Sequence, residues 1–556
     1  MDRMSSLGEL IPVLGPVRLL AVVVGVILHV GYFNRGEHHM YGVRYLQALI
    51  LVLAILTTAF TLLCGFALSS SIRLTSFIAG YVSLGLYGSL LSYRLFFHPL
   101  RNFPGPIGAK VSSLWYSTQL TNSDAHKKAL QLYERYGSFV RVGSSDLMIA
   151  HPLAVPAVHG AQSQCRKASW YDEDWPRQSI HTSRDHQFHA DRRRVWSHSF
   201  SDKALRSYEP RIEVYNKALM DRLGDHGGQP MNAAKWFNYY SYDVMGDLAF
   251  SKDFGLLRSG QQHLAVELLN DALGIQGIKL PTWMFRMLIA IPGLTEKYWR
   301  FIQYCDEQLA AQMAQKDTEK PSLMARLLAH AGPNPSKSDL LTLQSDSRTI
   351  IVAGSDTTAA TLSHIAYLLA KNPEHIVKLR QELLPLMNAD GSFEHQKVYQ
   401  AEHLNAVINE ALRLYPVPPT AIVRKTPIQG ITVDGTFIPG NINVWTPQYV
   451  IARSNDAYDQ AYDFIPERWY SMPHLVIELA GYSPFLTGPY GCIGRPLALM
   501  QIRLVIAATV SKFDIGFPPG ADGSDFVENT KDRFTWGLAE LNLCFRPWQR
   551  STSNHS

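Results

Sequence analysis

The chain has 556 residues, 52 Lys and Arg against 47 Asp and Glu, and 46% hydrophobic residues, enough for one large core or several small ones. A net charge of +5 is too small to argue for nucleic acid; it suits an acidic protein partner or an anionic membrane surface. The five cysteines (Cys64, Cys165, Cys305, Cys492 and Cys544) stand far apart with no C-x-x-C pair, which argues against a disulfide framework or a zinc site and for a reducing compartment.

Tyr45–Ile72 and Leu74–Tyr93 hold no charged residue, and each reaches the roughly 20 residues needed to cross a hydrocarbon core. A third apolar stretch, Leu10–Phe33, is weaker: it contains Pro12, Pro16 and Arg18, the last able to snorkel toward one interface. Membrane spans are expected at about 10–33, 45–68 and 74–93, the alternative for each being a buried core helix. Arg35 and Arg44 lie between the first two spans, Arg73 alone between the next two, and Arg94, Arg101 and Lys110 after the third. The positive-inside rule then puts the C-terminal bulk in the cytoplasm and, if the first stretch spans, the N-terminus in the lumen. The prolines and glycine of His98–Pro106 cannot continue a helix and read as a stiff hinge. Two parts follow: an anchor over 1–98 and a globule over 99–556.

Within the globule, Asp124–Tyr136 reads as a helix, Ser138–His151 as a short hairpin, and Trp170–Thr182 as an aromatic loop over a pocket. His189-Ala-Asp-Arg-Arg-Arg-Val-Trp196 reads as a basic helix with His189 and Arg193 on one face. Taken alone, it is a solvated basic face. Asn232–Phe250 is an amphipathic helix, and the proline-bounded Leu280–Leu294 is too short to span. It reads as pocket roof dipping into lipid, with an ordinary core helix as the alternative. Ser347–Lys371 is a long apolar helix with a polar notch, Ala353-Gly-Ser-Asp-Thr-Thr358. The rival reading makes Ser355 or Asp356 an N-cap; the apolar Ile350–Ala353 upstream argues against it. Glu410 and Arg413 stand three apart on a helix over Leu404–Leu414, and Phe464-Ile-Pro-Glu-Arg468-Trp469 follows. Helices dominate and strand patterns are few: a mainly α chain with small β-sheets (α+β).

Last comes Phe485-Leu-Thr-Gly-Pro-Tyr-Gly-Cys-Ile-Gly-Arg-Pro-Leu-Ala498. Gly488, Gly491 and Gly494 around Cys492 make a tight loop in which the backbone can approach something flat and bulky. An apolar helix follows, so amide N–H groups and the helix dipole favour a thiolate at Cys492. Such a thiolate suits an axial ligand to haem iron; the plain alternative is a buried structural cysteine beside a glycine turn.

The spacing Phe485-x-x-Gly488-x-x-x-Cys492-x-Gly494 closely resembles the haem-binding loop of the cytochrome P-450 family. The notch, Glu410-x-x-Arg413 and the Pro-Glu-Arg468 segment follow that family's patterns in order, and the hinge resembles that of microsomal members, with fungal character in Tyr93–Leu100. The resemblance implies the cytochrome P-450 fold behind transmembrane helices, with Cys492 as axial ligand of haem b. It implies that Phe485, Gly488 and Gly494 shape the loop, that Thr357 hydrogen-bonds dioxygen, and that Asp356 relays protons. It further implies a buried structural network of Glu410, Arg413 and Arg468 that locks the cysteine loop. One departure stands out: Tyr490 replaces the usual Arg or His two residues before the cysteine. By the family's pattern, propionate binding then falls to His189 and Arg193, with Arg424 as a second cation. The implied activity is monooxygenation of a small apolar substrate in fungal secondary metabolism, at the endoplasmic reticulum membrane. Electrons would come from an NADPH-dependent reductase, with a cytochrome b-type donor as a possible helper, and the arginines beside Arg193 would face that reductase. Two alternatives stay open: a haem-thiolate enzyme that rearranges or dehydrates its substrate without activating dioxygen, and a polytopic channel or carrier. The second is disfavoured because no polar group marks an ion path.

Overall fold

A computed structural model describes residues 11–314, 322–420 and 422–549. Leu10, the first residue of the weakest expected span, and Ala421, inside Pro418–Val423, lie outside the described residues. The chain divides into two compact units. One holds residues 1–116, 141–145 and 280–295; the other holds 117–140, 146–279 and 296–556.

The first unit carries helices α1 (Ile11–Ile27), α2 (Gly42–Leu62) and α3 (Leu68–Ser92). With short extensions, these are the three helices among the described residues long and apolar enough to cross a membrane. α1 and α3 pack backbone to backbone: a Cβ at Gly25 would lie 2.1 Å from the Val82 carbonyl, and one at Gly85 2.1 Å from that of Val22. Small residues permit this approach where lipid gives helices no hydrophobic reason to associate. α2 and α3 share hydrogen bonds, Thr57 to Thr75 at 3.2 Å and Thr61 to Ser71 at 2.9 Å. Two expectations shift. The α2–α3 turn sits at residues 63–67, around Gly65 with φ of +67°, so Arg73 belongs to α3 and not to a loop. Arg18 lies 5.2 Å from the centroid of the Phe77 ring, held by cation–π attraction on its neighbour.

The hinge is clamped within this unit. Arg141, fully buried, donates from its backbone to the Pro104 carbonyl at 2.7 Å and from its guanidinium to Ser144 O at 2.7 Å. Helix Thr282–Ile289 also belongs here, with the Met287 side chain against Gly42 of α2.

In the second unit, the expected helices appear at Ala125–Tyr136 and Ala233–Phe250, the latter with Asn232 as N-cap. The notch lies inside α4 (Lys337–Lys371), 35 residues long. This helix starts ten residues earlier than the apolar pattern suggests, because Ser336 and Asp339 form a capping box. The helix runs unbroken through Ser355 and Asp356, which excludes an N-cap there. The notch hydroxyls satisfy themselves locally: Ser355 donates to Ile351 O at 2.6 Å and Thr357 to Ala353 O at 2.8 Å. Gly354 makes room for Met245, whose Cε would lie 1.7 Å from a Cβ.

Next come α5 (Glu402–Leu414) and α6 (Arg495–Lys512), which opens directly behind the cysteine loop. Strands are short. β1 (Asp146–Ile149) pairs in parallel with β4 (Asn443–Trp445); β3 (Arg424–Lys425) pairs antiparallel with β4 and with β2 (Arg166–Lys167). This sheet places Lys167 and Arg424 opposite each other in register.

Candidate haem and substrate site

A cavity of about 400 Å³ opens inside the second unit, with Cys492 and residues of the Trp170–Thr182 loop in its lining. Pro418 and Ile422 also line it. The Leu280–Leu294 segment packs within the first unit, where Met287 meets Gly42 of α2.

The cysteine loop is built by close approach. Gly488 has φ of +66°, and a Cβ there would meet the His159 carbonyl at 2.4 Å. The Cys492 N–H donates to Phe485 O at 2.7 Å, closing the loop on itself. A Cβ on Gly494 would stand 3.8 Å from the sulfur, in ordinary contact with it. The Arg495 guanidinium lies 5.7 Å from the centroid of Phe485, another ring on the cavity wall. Burial pushes the Cys492 thiol up, against the opposing pull of the Gly494 and Arg495 amides and the Arg193 charge. The amides and the arginine that favour a thiolate are in place and act against desolvation of the thiol.

Cations gather around Tyr490. Lys167 Nζ and Arg424 Cζ each lie 4.9 Å from its ring centroid, and the His189 ring lies 4.6 Å away. Arg193 donates to Gly491 O at 2.7 Å. Lys167 donates to the carbonyls of Ile180 and His181 at 2.9 and 2.7 Å. Arg424 donates to the Tyr171 hydroxyl at 2.7 Å, while its Nε is buried with no partner. Burial, with the neighbouring cations, pushes His189 down to about 3; burial and Arg424 push Lys167 well below its usual range. These side chains spend their hydrogen bonds on carbonyls and a phenol, so the cluster is short of negative charge. An anionic group with two carboxylates, as haem has, fits it, and the orphaned Arg424 Nε is a donor ready for one.

Sequence reasoning placed Arg193, Arg424 and His189 here but missed Lys167. The signal was the strand pairing that sets Lys167 against Arg424, which two-residue strands do not announce. Arg192 does not face a partner: it is bonded to the buried Asp346, Nε to Oδ2 at 2.7 Å. Arg194 is the exposed member, 3.3 Å from Asp191.

Thr357 lines the cavity, whereas Asp356 does not; the Asp356 carboxylate accepts instead from Thr535, which does. Burial pushes Asp356 up to about 6, partly offset by the Thr535 hydroxyl and Arg533. Away from the cavity, Glu410 takes Arg413 at 2.7 and 2.9 Å and Arg468 at 2.8 Å, with all three side chains fully buried. It also accepts from Trp469 Nε1 at 2.9 Å and Ile465 N at 3.0 Å, partners the sequence did not reveal. The arginines bind carbonyls of Ala452, Asp459, Gln460, Ala461, Asp463 and Leu475, not of the cysteine loop. The link to the loop is indirect: Trp469 packs 4.5 Å from Tyr482, whose hydroxyl donates to Asn409 at 3.0 Å.

A glycine-bound cysteine facing an apolar chamber, with a cation cluster at its side and a threonine-lined helix across it, defines a haem-thiolate protein. The family model of cytochrome P450 matches residues 104–545, and the chain belongs to that family. It is 44% identical to cytochrome P450 monooxygenase notG' of Aspergillus versicolor over 94% of this chain and 96% of the relative. It is 49% identical to cytochrome P450 monooxygenase sthD of Phaeosphaeria nodorum, over 84% and 99%. With tryprostatin B 6-hydroxylase of Aspergillus fumigatus it shares 40% identity over 94% of each chain. The chain is therefore a cytochrome P450 monooxygenase, dependent on haem, dioxygen and electrons from a reductase.

Proposed function

We propose that this monooxygenase inserts one oxygen atom into an apolar aromatic substrate held in the cavity, as a tailoring step of fungal secondary metabolism. The observation that carries this reading is the cavity itself, which joins Cys492, Thr357 and the aromatic Trp170–Thr182 loop in one space. Relatives of similar length, among them a hydroxylase acting on tryprostatin B, support it.

Haem b, bound through Cys492, supplies the dioxygen chemistry. Lys167, Arg193, Arg424 and His189 hold its propionates, taking over from the cation that Tyr490 lacks. Phe485, Gly488 and Gly494 keep the loop in shape around the ring. Thr357 offers its hydroxyl to the reacting oxygen, and Asp356 holds a proton at its carboxyl, passing it toward the cavity through Thr535. With its carboxyl raised to about 6, Asp356 gains and loses that proton readily near neutral pH. The membrane anchor, residues 1–98, keeps the catalytic part, residues 99–556, on the cytoplasmic face of the endoplasmic reticulum. There an NADPH-cytochrome P-450 reductase, aided by a cytochrome b-type protein, delivers electrons.

Thr357→Ala tests the dioxygen step. In the holoenzyme with reductase and an aromatic probe that shifts the haem spin state, product should fall about tenfold or more while hydrogen peroxide release rises. If both stay at wild-type levels, the enzyme rearranges its substrate without activating dioxygen.

A further inference from the structure

Elsewhere in the second unit two buried imidazoles face each other. His375 Nδ1 and His403 Nε2 lie 3.2 Å apart, and the rings stack with centroids 5.2 Å and planes 24° apart. Glu467 Oε1 approaches the same His375 nitrogen at 3.9 Å. One ligand atom from each residue falls within 4.8 Å of the others. A tetrahedral zinc-type ion with bonds of about 2.0–2.1 Å holds neighbouring ligand atoms about 3.3 Å apart. The two imidazoles already stand at nearly that spacing.

The outer partners fit the same reading. A ligating histidine generally gives its second ring nitrogen to a hydrogen-bonding group, which fixes the tautomer. For His403 that nitrogen, Nδ1, lies 3.1 Å from the Tyr470 hydroxyl; for His375, Nε2 lies 3.9 Å from Glu374 Oε1. With protons on those outer nitrogens, both inner lone pairs are open to one cation. Without a cation, one inner nitrogen carries the proton that bridges the pair.

The three residues also stand on well-held backbone. His375 belongs to helix Glu374–Leu383, and its ring meets Phe464 nearly at right angles, 5.3 Å between centroids. His403 sits in the first turn of α5, where Glu382 accepts from its backbone N–H at 2.8 Å and from that of Leu404 at 2.9 Å. Glu467 precedes Arg468, which Glu410 fixes. Lys378 Nζ now holds Glu467 Oε1 at 2.6 Å, but its side chain is 47% exposed and can give up that carboxylate to water.

We propose that His375, His403 and Glu467 bind a divalent transition metal ion of the zinc class, with water completing its coordination, and that the ion staples Pro466–Trp469 to the two helices. Imidazole with carboxylate suits such ions better than magnesium or calcium, which take oxygen ligands. The set holds no cysteine and uses none of the residues assigned above to haem or oxygen.

The test uses the haem-loaded full chain, stripped of loosely held metal with a chelator, and zinc chloride as the probe, read by calorimetry and zinc-edge X-ray absorption. Wild type should bind a single equivalent with micromolar or tighter Kd and show two imidazole ligands; magnesium chloride should give no such binding. His403→Phe should weaken zinc about tenfold or more, and Tyr470→Phe, which keeps all three ligands, about tenfold. Lys378→Met, which frees Glu467, should tighten it about threefold. Zinc should raise the melting temperature of wild type by about 2 °C or more, and not that of His403→Phe. No micromolar uptake by wild type overturns the proposal, as does uptake that His403→Phe and Tyr470→Phe leave unchanged, which would put the ion on other histidines. Uptake lost in His403→Phe but unaltered in both Lys378→Met and Glu467→Gln overturns the three-ligand assignment. Binding with no rise in melting temperature overturns the staple.

Discussion

Tyr490 is the residue on which this site departs from its family's pattern, and the proposed propionate role of its neighbours turns on that departure. A phenol cannot neutralise a carboxylate, yet Lys167 and Arg424 stand on either count within 4.9 Å of its ring centroid. In the proposed site the sheet, through Lys167 and Arg424, supplies the charge that the loop lacks. Lys167→Met should therefore lower the haem content of purified protein several-fold, and Tyr490→Arg should restore much of it; unchanged haem content in Lys167→Met contradicts this role. Asp356 carries a different cost. With its carboxyl at about 6 when folded, it keeps its proton while the unfolded chain, near its usual value of about 4, has lost it. Stability is full below about pH 4, falls as pH rises to about 6, and stays reduced above. Asp356→Asn should accordingly be more stable than wild type by on the order of 2 kcal/mol at about pH 7.5, and the gain should shrink toward about pH 5. Thermal melts at the two pH values check this; an offset independent of pH would show that burial of the charge is not the cause.

At the scale of elements, the cysteine loop and the Glu410 network are both rigid for reasons that single atoms reveal. The positive φ of Gly488, and the backbone carbonyl that an added Cβ would meet at 2.4 Å, leave no soft neighbour to yield. Gly488→Ala should cost about 2–4 kcal/mol and release haem on heating well before wild type. Glu410→Ala leaves Arg413 and Arg468 buried with their carboxylate gone, at a cost of about 3–5 kcal/mol. Because those arginines hold the backbone over 452–475 rather than the loop itself, the variant should lose far-ultraviolet stability together with haem. Loss of haem alone, with an unaltered melt of the apoprotein, would contradict a scaffold role.

The two units set what was legible in the chain as a whole. Two charge-free runs and a weaker apolar stretch holding Arg18 gave the three long apolar helices, because hydropathy decides them; the turn at Gly65 escaped, since one glycine in an apolar run carries little signal. The notch, the Glu410–Arg413 spacing and the cysteine loop were readable because each needs fixed residues at fixed intervals. Lys167, Thr535 and Trp469 were not, as each enters through a contact between segments distant in sequence. Leu280–Leu294 shows the same limit from the other side: an apolar pattern announces a buried face without naming what covers it. That segment keeps exposed apolar residues, Trp283, Ile291 and Leu294 among them. Removing residues 1–92 should leave a haem-loaded enzyme that still floats with anionic vesicles but is released by high salt or mild detergent. Loss of all catalysis despite full haem content would revive the membrane carrier.

Every role assigned at the cavity depends on sulfur from Cys492 bonding to haem iron. The purified protein, reduced and exposed to carbon monoxide, should give the red-shifted Soret band of a thiolate ligand, and Cys492→Ala should abolish it. Persistence of that band in Cys492→Ala, or its absence from haem-loaded wild type, would contradict the account.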